Sequence, residues 1–288
     1  MRGAAFSGGG FYGNVIVGML QRISEDDDFE PWGCMTGIST GALIENVIAQ
    51  YPKSRFKDAI QKLTGIYTPR VTEDIHRRWF MGKMAALWKP SLRNTAALRG
   101  LIDELSNNEA IRTGDYRTAV GVVNLEQGYY EAIGHDYIPF NKAVEASASL
   151  PAFFEPVRVP EHGLCVDGGA AVGCDIGTLI KMGCTEIDAF IAMPEKLAPK
   201  FMPDPEALDV ALRTFEVMVH TALWQQVKMT RIYNQIALGG DQRRKYIKLR
   251  VFAPDRLVGD GMEFVPSQAI ELQEIGRSAA SEVLHSVD

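Results

Sequence analysis

The sequence predicts an α/β protein whose sheet is largely parallel, because short apolar runs alternate with helical patterns along its length. The first apolar run, residues 2–6, passes through a glycine-rich loop into a helical pattern over residues 14–23. The second run, residues 32–36, passes through a tight turn into a helical run over residues 42–49. Two strand–turn–helix units in succession are typical of parallel strands that are joined by helices.

The same alternation continues downstream. Residues 116–124 and 129–133 read as two strands joined by a hairpin-like turn. The other predicted strands cover residues 157–159, 164–166, 187–192 and 246–252, and the other predicted helices cover 141–149, 175–182, 208–238 and 267–285. Because no internal repeat or interdomain linker is visible, residues 1–288 are predicted to form one domain.

The composition is that of a soluble globular protein, with an apolar fraction of 46% and a charged fraction of 23%. No apolar run approaches the roughly 18 residues that a membrane-spanning helix needs, and the first residues lack a secretory signal pattern. The four cysteines form no C-x-x-C pair, so we expect reduced, mostly buried thiols in a cytosolic protein and neither disulfides nor a zinc site. The net charge of −6 argues against a dedicated nucleic-acid binder.

Basic residues are concentrated in one part of the chain. Residues 53–100 contain eleven Lys and Arg and three acids, a local charge of +8. Residues 53–104 are predicted to form a mostly helical cap within the domain, with an amphipathic helix over 75–89 and His76 at the surface. Such a helix suits a membrane surface or a lid over an apolar site, and a cap helix with solvated charges is the alternative. The candidate membrane or lid residues are Arg77, Arg78, Trp79, Phe80, Lys83 and Trp88.

The pentapeptide Gly37-Ile38-Ser39-Thr40-Gly41 reads G-x-S-x-G and lies between a predicted strand and a predicted helix. This is the context of a nucleophile elbow, a sharp turn that holds a serine hydroxyl clear of the backbone. Gly37 and Gly41 allow the strand and the helix to pass closely where a Cβ atom would clash. The helix N-terminus beside Ser39 favours developing negative charge. An ordinary glycine-rich turn is the alternative interpretation.

A second glycine-rich loop lies between the first strand and the first helix. Three consecutive glycines, Gly8, Gly9 and Gly10, allow backbone N–H groups to point toward one place, which suits an oxyanion hole. Together with Gly13, this loop also satisfies G-x-G-x-x-G, so a nucleotide-binding oxidoreductase is a second hypothesis. That fingerprint needs an acidic residue near the end of the second strand, whereas the acids here fall in the turn before it, within residues 25–28. The oxyanion interpretation is therefore favoured.

The candidate base is Asp167, which follows a predicted strand and precedes Gly168 and Gly169. A serine nucleophile needs a base, and the histidines after Asp167 fall in strongly helical segments rather than in loops at strand ends. A dyad of Ser39 and Asp167 is therefore the simpler assignment. Because a free Asp has a pKa of about 3.9, the site must raise that pKa by burial or use direct proton transfer from Oγ.

Taken together, these motifs resemble those of the patatin-like phospholipase family. The glycine loop over 7–13, the pentapeptide over 37–41 and Asp-Gly-Gly over 167–169 stand in the family's order. The segment over 146–156, Ala-Ser-Ala-Ser-Leu-Pro-Ala-Phe-Phe-Glu-Pro, also resembles the family's sequence ahead of the aspartate. The similarity runs from residue 2 to about residue 190, and the C-terminal third is only compatible with it.

This resemblance implies a three-layer α/β/α sandwich and a phospholipase A-type hydrolase that cleaves acyl esters of phospholipids at a membrane surface. By position, Ser39 would be the nucleophile, Asp167 the base and then the acid, and the loop of Gly8, Gly9 and Gly10 the oxyanion hole. No cofactor, metal or nucleic-acid partner is implied. The family usually has Arg before the last glycine of the loop, where this chain has Tyr12, so Tyr12 cannot supply that positive charge.

Two further hypotheses stay open on the sequence. The same dyad would serve a transacylase, in which an alcohol or a thiol replaces water as the acyl acceptor. It would also serve a thioesterase, in which a thioester replaces the ester substrate. A binding or toxin-like module could also keep the elbow and be inactive, or be gated through the 53–100 segment by lipid or a partner protein.

Overall fold

The computed structural model describes residues 1–79, 88–239 and 245–285. The strands are β1 Arg2–Phe6, β2 Cys34–Gly37, β3 Arg77–Arg78, β4 Arg93–Asn94, β5 Arg117–Asn124, β6 Tyr129–Gly134, β7 Val157–Val159, β8 Gly163–Asp167, β9 Glu186–Phe190 and β10 Lys248–Phe252. The helices are α1 Gly13–Ser24, α2 Thr40–Ile48, α3 Phe56–Tyr67, α4 Ala96–Leu105, α5 Asn108–Thr113, α6 Phe140–Ser147, α7 Ile176–Lys181, α8 Ala207–Leu238 and α9 Pro266–His285.

Eight of the strands form one mixed sheet in the order β10–β9–β1–β2–β5–β8–β7, with β6 also paired with β5. The neighbouring pairs β10–β9, β9–β1, β1–β2 and β2–β5 are parallel. The pairs of β5 with β6, of β5 with β8 and of β7 with β8 are antiparallel. The hairpin-like turn predicted after β5 accounts for the first of these, because antiparallel neighbours can be joined by a short turn. The α/β class is confirmed, with one antiparallel side to the sheet.

The sheet lies between two layers of helices. In β1, Ala4 and Phe6 belong to a large core shared with α1, α2, α3, α4, α6 and α9, whereas Ala5 belongs to a smaller core shared with α7 and α8. Because alternate residues of a strand point to opposite faces, the two cores lie on opposite sides of the sheet. Phe6 stacks on Phe190 with ring centroids 5.3 Å apart, and Trp32 packs edge-on to both rings. The three-layer α/β/α arrangement is thereby confirmed.

The predicted cap contains α3 and α4, but the helix predicted over residues 75–89 is wrong at its start. Arg77–Arg78 is a short strand that pairs antiparallel with β4. The centre of that prediction, including Phe80 and Lys83, lies outside the described residues. His76, expected at the surface, is only 6% exposed, and its Nε2 lies 3.1 Å from the carbonyl oxygen of Met262.

All four cysteines are free and buried, as the sequence predicted. Over the described ranges, no helix combines the length and the apolar character that crossing a bilayer requires. Within the same ranges, no cluster of three or more His, Cys, Asp or Glu side chains is placed to hold a metal ion.

Candidate active site

Strand β5 brings the ends of two other strands together. Gly37, the last residue of β2, pairs with Val120 of β5, and Asp167, the last residue of β8, pairs with Val122. Residues two apart along a strand are separated by roughly 7 Å. Because Ser39 follows Gly37 by two residues, the predicted elbow and the predicted base lie beside each other.

The backbone at Ser39 is strained. Its φ of 56° and ψ of −123° are rare for a residue other than glycine. Such conformations persist where the surrounding structure fixes them, and they are concentrated at functional sites. A Cβ at Gly41 would collide with the carbonyl of Phe6, and a Cβ at Gly37 would lie 2.5 Å from a carboxylate oxygen of Glu45. Both glycines of the pentapeptide are therefore needed for the strand, the turn and α2 to fit together.

Asp167 is buried, with 1% of the residue exposed. Its Oδ1 accepts the backbone N–H of Gly169 over 2.7 Å, and its carboxyl lies close enough to the Ser39 hydroxyl to interact with it electrostatically. Burial raises the pKa of Asp167 from 3.8 to about 7, and the interactions of the carboxyl with Ser39 and with the Gly169 N–H partly oppose this rise. A carboxyl group with a pKa near neutrality is suited to take a proton from a hydroxyl and return it.

The glycine-rich loop lies against Ser39. A Cβ at Gly8 would lie 3.2 Å from the Cβ of Ser39, which places this loop in contact with the serine side chain. The N–H of Gly8 donates to the carbonyl of Gly173 over 3.1 Å, so it is not free to bind an oxyanion. Among the described residues, the N–H groups of Gly9 and Gly10 have no such acceptor. Of the three glycines that the sequence predicts for the oxyanion hole, Gly9 and Gly10 therefore have backbone N–H groups that can donate to an oxyanion.

The close approaches in this loop are made to protein groups. A Cβ at Gly9 would lie 2.6 Å from the Cβ of Ala192, and a Cβ at Gly10 would collide with the carbonyl of Gly261. In a dinucleotide-binding fold, the glycines of this fingerprint let the backbone approach a pyrophosphate. Here that space is filled by the protein, which gives no support to the nucleotide hypothesis.

A C-terminal segment, which no sequence motif connects with the site, covers the glycine-rich loop. The N–H of Phe11 donates to the carbonyl of Gly261 over 2.8 Å, and the hydroxyl of Tyr12 donates to the carbonyl of Gly259 over 3.1 Å. Burial raises the pKa of Tyr12 to about 12, so its phenol stays neutral at physiological pH. Tyr12, which stands where the family has Arg, thus fixes the loop by packing and a hydrogen bond.

An apolar channel opens at Ser39. Its cavity volume is about 80 Å³, and it is partly open to solvent. Its lining side chains from α2, α3 and α4 include Leu43, Val47, Ile66, Leu98, Ile102 and Leu105. Two polar side chains of the lining, Thr40 and Tyr67, hydrogen-bond to each other, and their hydroxyl oxygens lie 2.8 Å apart. The channel therefore offers a largely apolar surface beside the Ser39 hydroxyl.

The structure describes four of the candidate membrane residues, Arg77, Arg78, Trp79 and Trp88, of which Arg77 and Arg78 closely follow the channel-lining residue Ile75. Arg77 and Arg78 are exposed, and Trp88 is 57% exposed. The indole N–H of Trp79 instead donates to the carbonyl of Ser91 over 3.0 Å. Helices α3 and α4, which lie in the same 53–104 segment as these exposed groups, form walls of the channel.

Residues 4–179 match the family model described as patatin-like phospholipase. Among solved structures, the chain is similar to VipD from Legionella pneumophila at 15% identity and a TM-score of 0.47, covering 99% of this chain and 67% of that chain. It is similar to the type III effector protein ExoU at 14% identity and a TM-score of 0.37, covering 99% of this chain and 53% of that chain. A search of curated proteins found no match. On the family match, which spans more than half of its length, the chain belongs to the patatin-like phospholipase family, an enzyme family of lipid hydrolases.

Proposed function

We propose that this protein is a phospholipase A-type serine hydrolase that cleaves fatty acyl esters of membrane phospholipids. The observation that carries the proposal is the position of the strained Ser39 elbow beside the buried carboxyl of Asp167, at the mouth of an apolar channel. Ser39 acts as the nucleophile, and Asp167 acts as general base and then as general acid. No histidine is required in this scheme.

In the first half of the reaction, Ser39 Oγ attacks the ester carbonyl carbon while its proton passes to Asp167. The raised pKa of Asp167 supports this role, because an ordinary aspartate would be too weak a base at neutral pH. Negative charge develops on the carbonyl oxygen, and the N–H groups of Gly9 and Gly10 are the donors we assign to it. The N-terminus of α2, directly after Ser39, favours the same charge.

In the second half, the bond between the carbonyl carbon and the alcohol oxygen breaks. Asp167 returns its proton to that oxygen, so the lysophospholipid leaves as a neutral alcohol and the acyl group stays on Ser39. A water molecule then gives a proton to Asp167 and attacks the acyl-enzyme. The fatty acid is released as Ser39 Oγ recovers the proton, and every proton is accounted for.

The channel supports a long apolar acyl group as the substrate. Its lining side chains Leu43 and Val47 lie on α2 at one and two helical turns beyond Ser39, on the same face of the helix. If an acyl chain follows this face, the apolar surfaces of the acyl chain and of the channel are both removed from water. This burial stabilises the complex by about 25 cal/mol for each Å² of apolar surface. The reacting carbonyl would stay at Ser39, where the apolar lining gives way to the glycine-rich loop.

We place the reaction at the cytoplasmic surface of a membrane. Arg77, Arg78 and Trp88 are exposed on the cap that forms walls of the channel. Anionic lipid headgroups attract Lys and Arg near the surface by about 1 kcal/mol each. An aromatic side chain among basic residues is suited to the boundary between headgroups and acyl chains.

The test is labelling by a fluorophosphonate probe together with release of fatty acid from phospholipid vesicles. Wild-type protein should be labelled at Ser39 and should release fatty acid, and both signals should be lost in Ser39→Ala. Circular dichroism should show that this variant is folded, because the substitution removes one hydroxyl and leaves the backbone unchanged. A folded Ser39→Ala variant with wild-type turnover would refute the proposal.

The same assay distinguishes hydrolysis from acyl transfer. Adding glycerol or a lysophospholipid as acceptor should leave free fatty acid as the main product of a hydrolase. An acylated acceptor as the main product would identify a transacylase that uses the same dyad. Absence of labelling with and without vesicles would instead identify an inactive or partner-gated relative.

A further inference from the structure

The buried hydroxyl of Ser147 is bound to the backbone of Ser39. Ser147 is the last residue of α6 and is 0% exposed. Its Oγ accepts the backbone N–H of Ser39 over 3.0 Å and donates its own proton to the carbonyl of Gly121 over 2.7 Å. Because an N–H can only donate and a carbonyl can only accept, both bonds have a fixed direction and the hydroxyl has a single orientation.

The hydrogen bond to Ser39 stabilises an unusual backbone conformation at the elbow. Ser39 has a positive φ without being glycine, and such a residue keeps its conformation only where neighbouring groups hold it there. Its N–H precedes the first residue of α2 and faces the fully buried hydroxyl of Ser147, and an unpaired donor in that place would be unfavourable. Ser147 supplies the acceptor for that N–H.

The bond to Gly121 links the same hydroxyl to the aspartate side of the site. Gly121 lies in β5, between Val120 and Val122, which pair with the ends of β2 and β8. A Cβ at Gly168, the residue after Asp167, would lie 2.5 Å from the carbonyl oxygen of Gly121. The carbonyl of Gly121 therefore contacts the loop that follows Asp167 and also accepts the hydrogen bond from Ser147. The hydroxyl of Ser147 in turn accepts the N–H of Ser39.

We infer that Ser147 is a positioning residue that fixes the Ser39 elbow relative to Asp167, so that Oγ and the carboxylate stay in register during turnover. This inference rests on the proposed dyad and adds a residue to it. Ser147 touches neither substrate nor the reacting atoms. Its loss should affect the chemical step and leave substrate binding in the channel unchanged, because Ser147 acts only through the backbone of Ser39.

The experiment measures kcat and KM of the full chain, normalised to folded protein, for the wild type, Ser147→Ala and Ser147→Cys. Misplacement of a reacting group by about 1 Å lowers the rate on the order of 100-fold, so we expect kcat to fall about 10- to 100-fold while KM changes less than about twofold. Ser147→Cys fills the same space with a weaker hydrogen-bonding group and decides the question if Ser147→Ala does not fold.

The matched control is Thr230→Val. Thr230 is also buried, at 4% exposed, and its hydroxyl donates to the carbonyl of Gln226 within α8. Wild-type kcat and KM are expected for this variant. A wild-type kcat in folded Ser147 variants, an increase in KM with unchanged kcat, or an equal loss in Thr230→Val would overturn the inference. Ser39→Ala keeps the two proposals apart, because it tests the dyad whatever the result for Ser147.

Discussion

The backbone N–H of Phe11 donates to the carbonyl oxygen of Gly261 over 2.8 Å. Phe11 lies in the glycine-rich loop, whereas Gly261 lies beyond residue 179, where the family match ends. Nearby, the rings of Phe11 and Phe264 pack with centroids 5.1 Å apart, and Phe264 lines the apolar channel. The conformation of the proposed oxyanion loop therefore depends on residues outside the part of the chain that defines the family.

Substitution of Gly261 tests this dependence. A Cβ there would lie 2.9 Å from the ring of Tyr12, so either that ring or the Gly261 carbonyl has to shift. Because the Gly261 carbonyl holds the Phe11 N–H, we expect Gly261→Ala to displace the loop and to lower kcat by about 10-fold. The measurement is steady-state hydrolysis of a soluble ester, in which membrane binding has no part.

Gly65→Ala is the control for that experiment. Gly65 is exposed in α3, and a Cβ there would meet no atom within 4 Å. Replacing glycine by alanine inside a helix usually stabilises it by about 0.5–1 kcal/mol, so this variant should be as active as wild type and slightly more stable. Equal activity of the Gly65→Ala and Gly261→Ala variants would show that the C-terminal segment does not position the loop.

The pH dependence of activity should report Asp167. The base must be ionised to accept a proton, and burial raises its pKa to about 7. We therefore expect kcat/KM to rise with pH through an apparent pKa of about 7 and to level off above pH 8. A profile measured with a soluble ester that levels off near pH 5 would mean that the base has an ordinary carboxylate pKa.

The same group should make folding stability depend on pH. Folded Asp167 keeps its proton up to about pH 7, whereas the unfolded chain releases it near 3.9, so the folded state binds more protons between these values. Stability should consequently fall as the pH rises from about 4 to 7, by about 4 kcal/mol. Asp167→Asn should be inactive yet more stable than wild type at pH 8, with little difference at pH 4. Urea denaturation at both pH values is the measurement, and a variant less stable than wild type at pH 8 would contradict this reasoning.

The sequence was sufficient to propose Ser39 and Asp167 as candidates, because each lies in a short motif whose geometry is local. Neither Ser147, which lies within the 146–156 segment, nor Gly261 was assigned a role from the sequence, because their contacts with Ser39 and Phe11 join positions that are far apart in the chain. The occupied N–H of Gly8 is hidden from sequence for the same reason, since its acceptor is Gly173.

The cap shows a different limit of sequence reasoning. Apolar spacing over residues 75–89 fits one face of a helix, but Arg77–Arg78 pairs with Arg93–Asn94 as a short antiparallel strand. That pairing is a tertiary contact, and such contacts override local periodicity. The carbonyl of Phe153 accepts the N–H of Arg93 over 2.9 Å, which anchors β4 next to the channel wall at Phe154.

Larger side chains along α2 should change acyl-chain selectivity. With a rise of 1.5 Å per residue, Leu43 and Val47 lie about 6 Å and about 12 Å from Ser39 along the helix axis. Val47→Phe should lower kcat/KM for long acyl esters and leave short ones unchanged, whereas Leu43→Phe should lower both. Hydrolysis of p-nitrophenyl esters from butyrate to palmitate measures this. The same chain-length profile in both variants would exclude a channel that follows α2.

The exposed arginines of the cap should strengthen binding to anionic membranes. Each Arg near an anionic surface contributes about 1 kcal/mol, so the double variant Arg77→Gln, Arg78→Gln should bind phosphatidylserine vesicles about 30-fold more weakly than wild type. Its hydrolysis of a soluble ester should be unchanged, because neither residue lines the channel.

The matched control neutralises two exposed basic residues of α8, Lys228→Gln and Arg231→Gln, and should bind vesicles like wild type. Equal weakening by the two double variants in a vesicle co-sedimentation assay would mean that the attraction comes from overall charge. A loss confined to the cap variant would place the membrane on the side of the molecule that borders the channel.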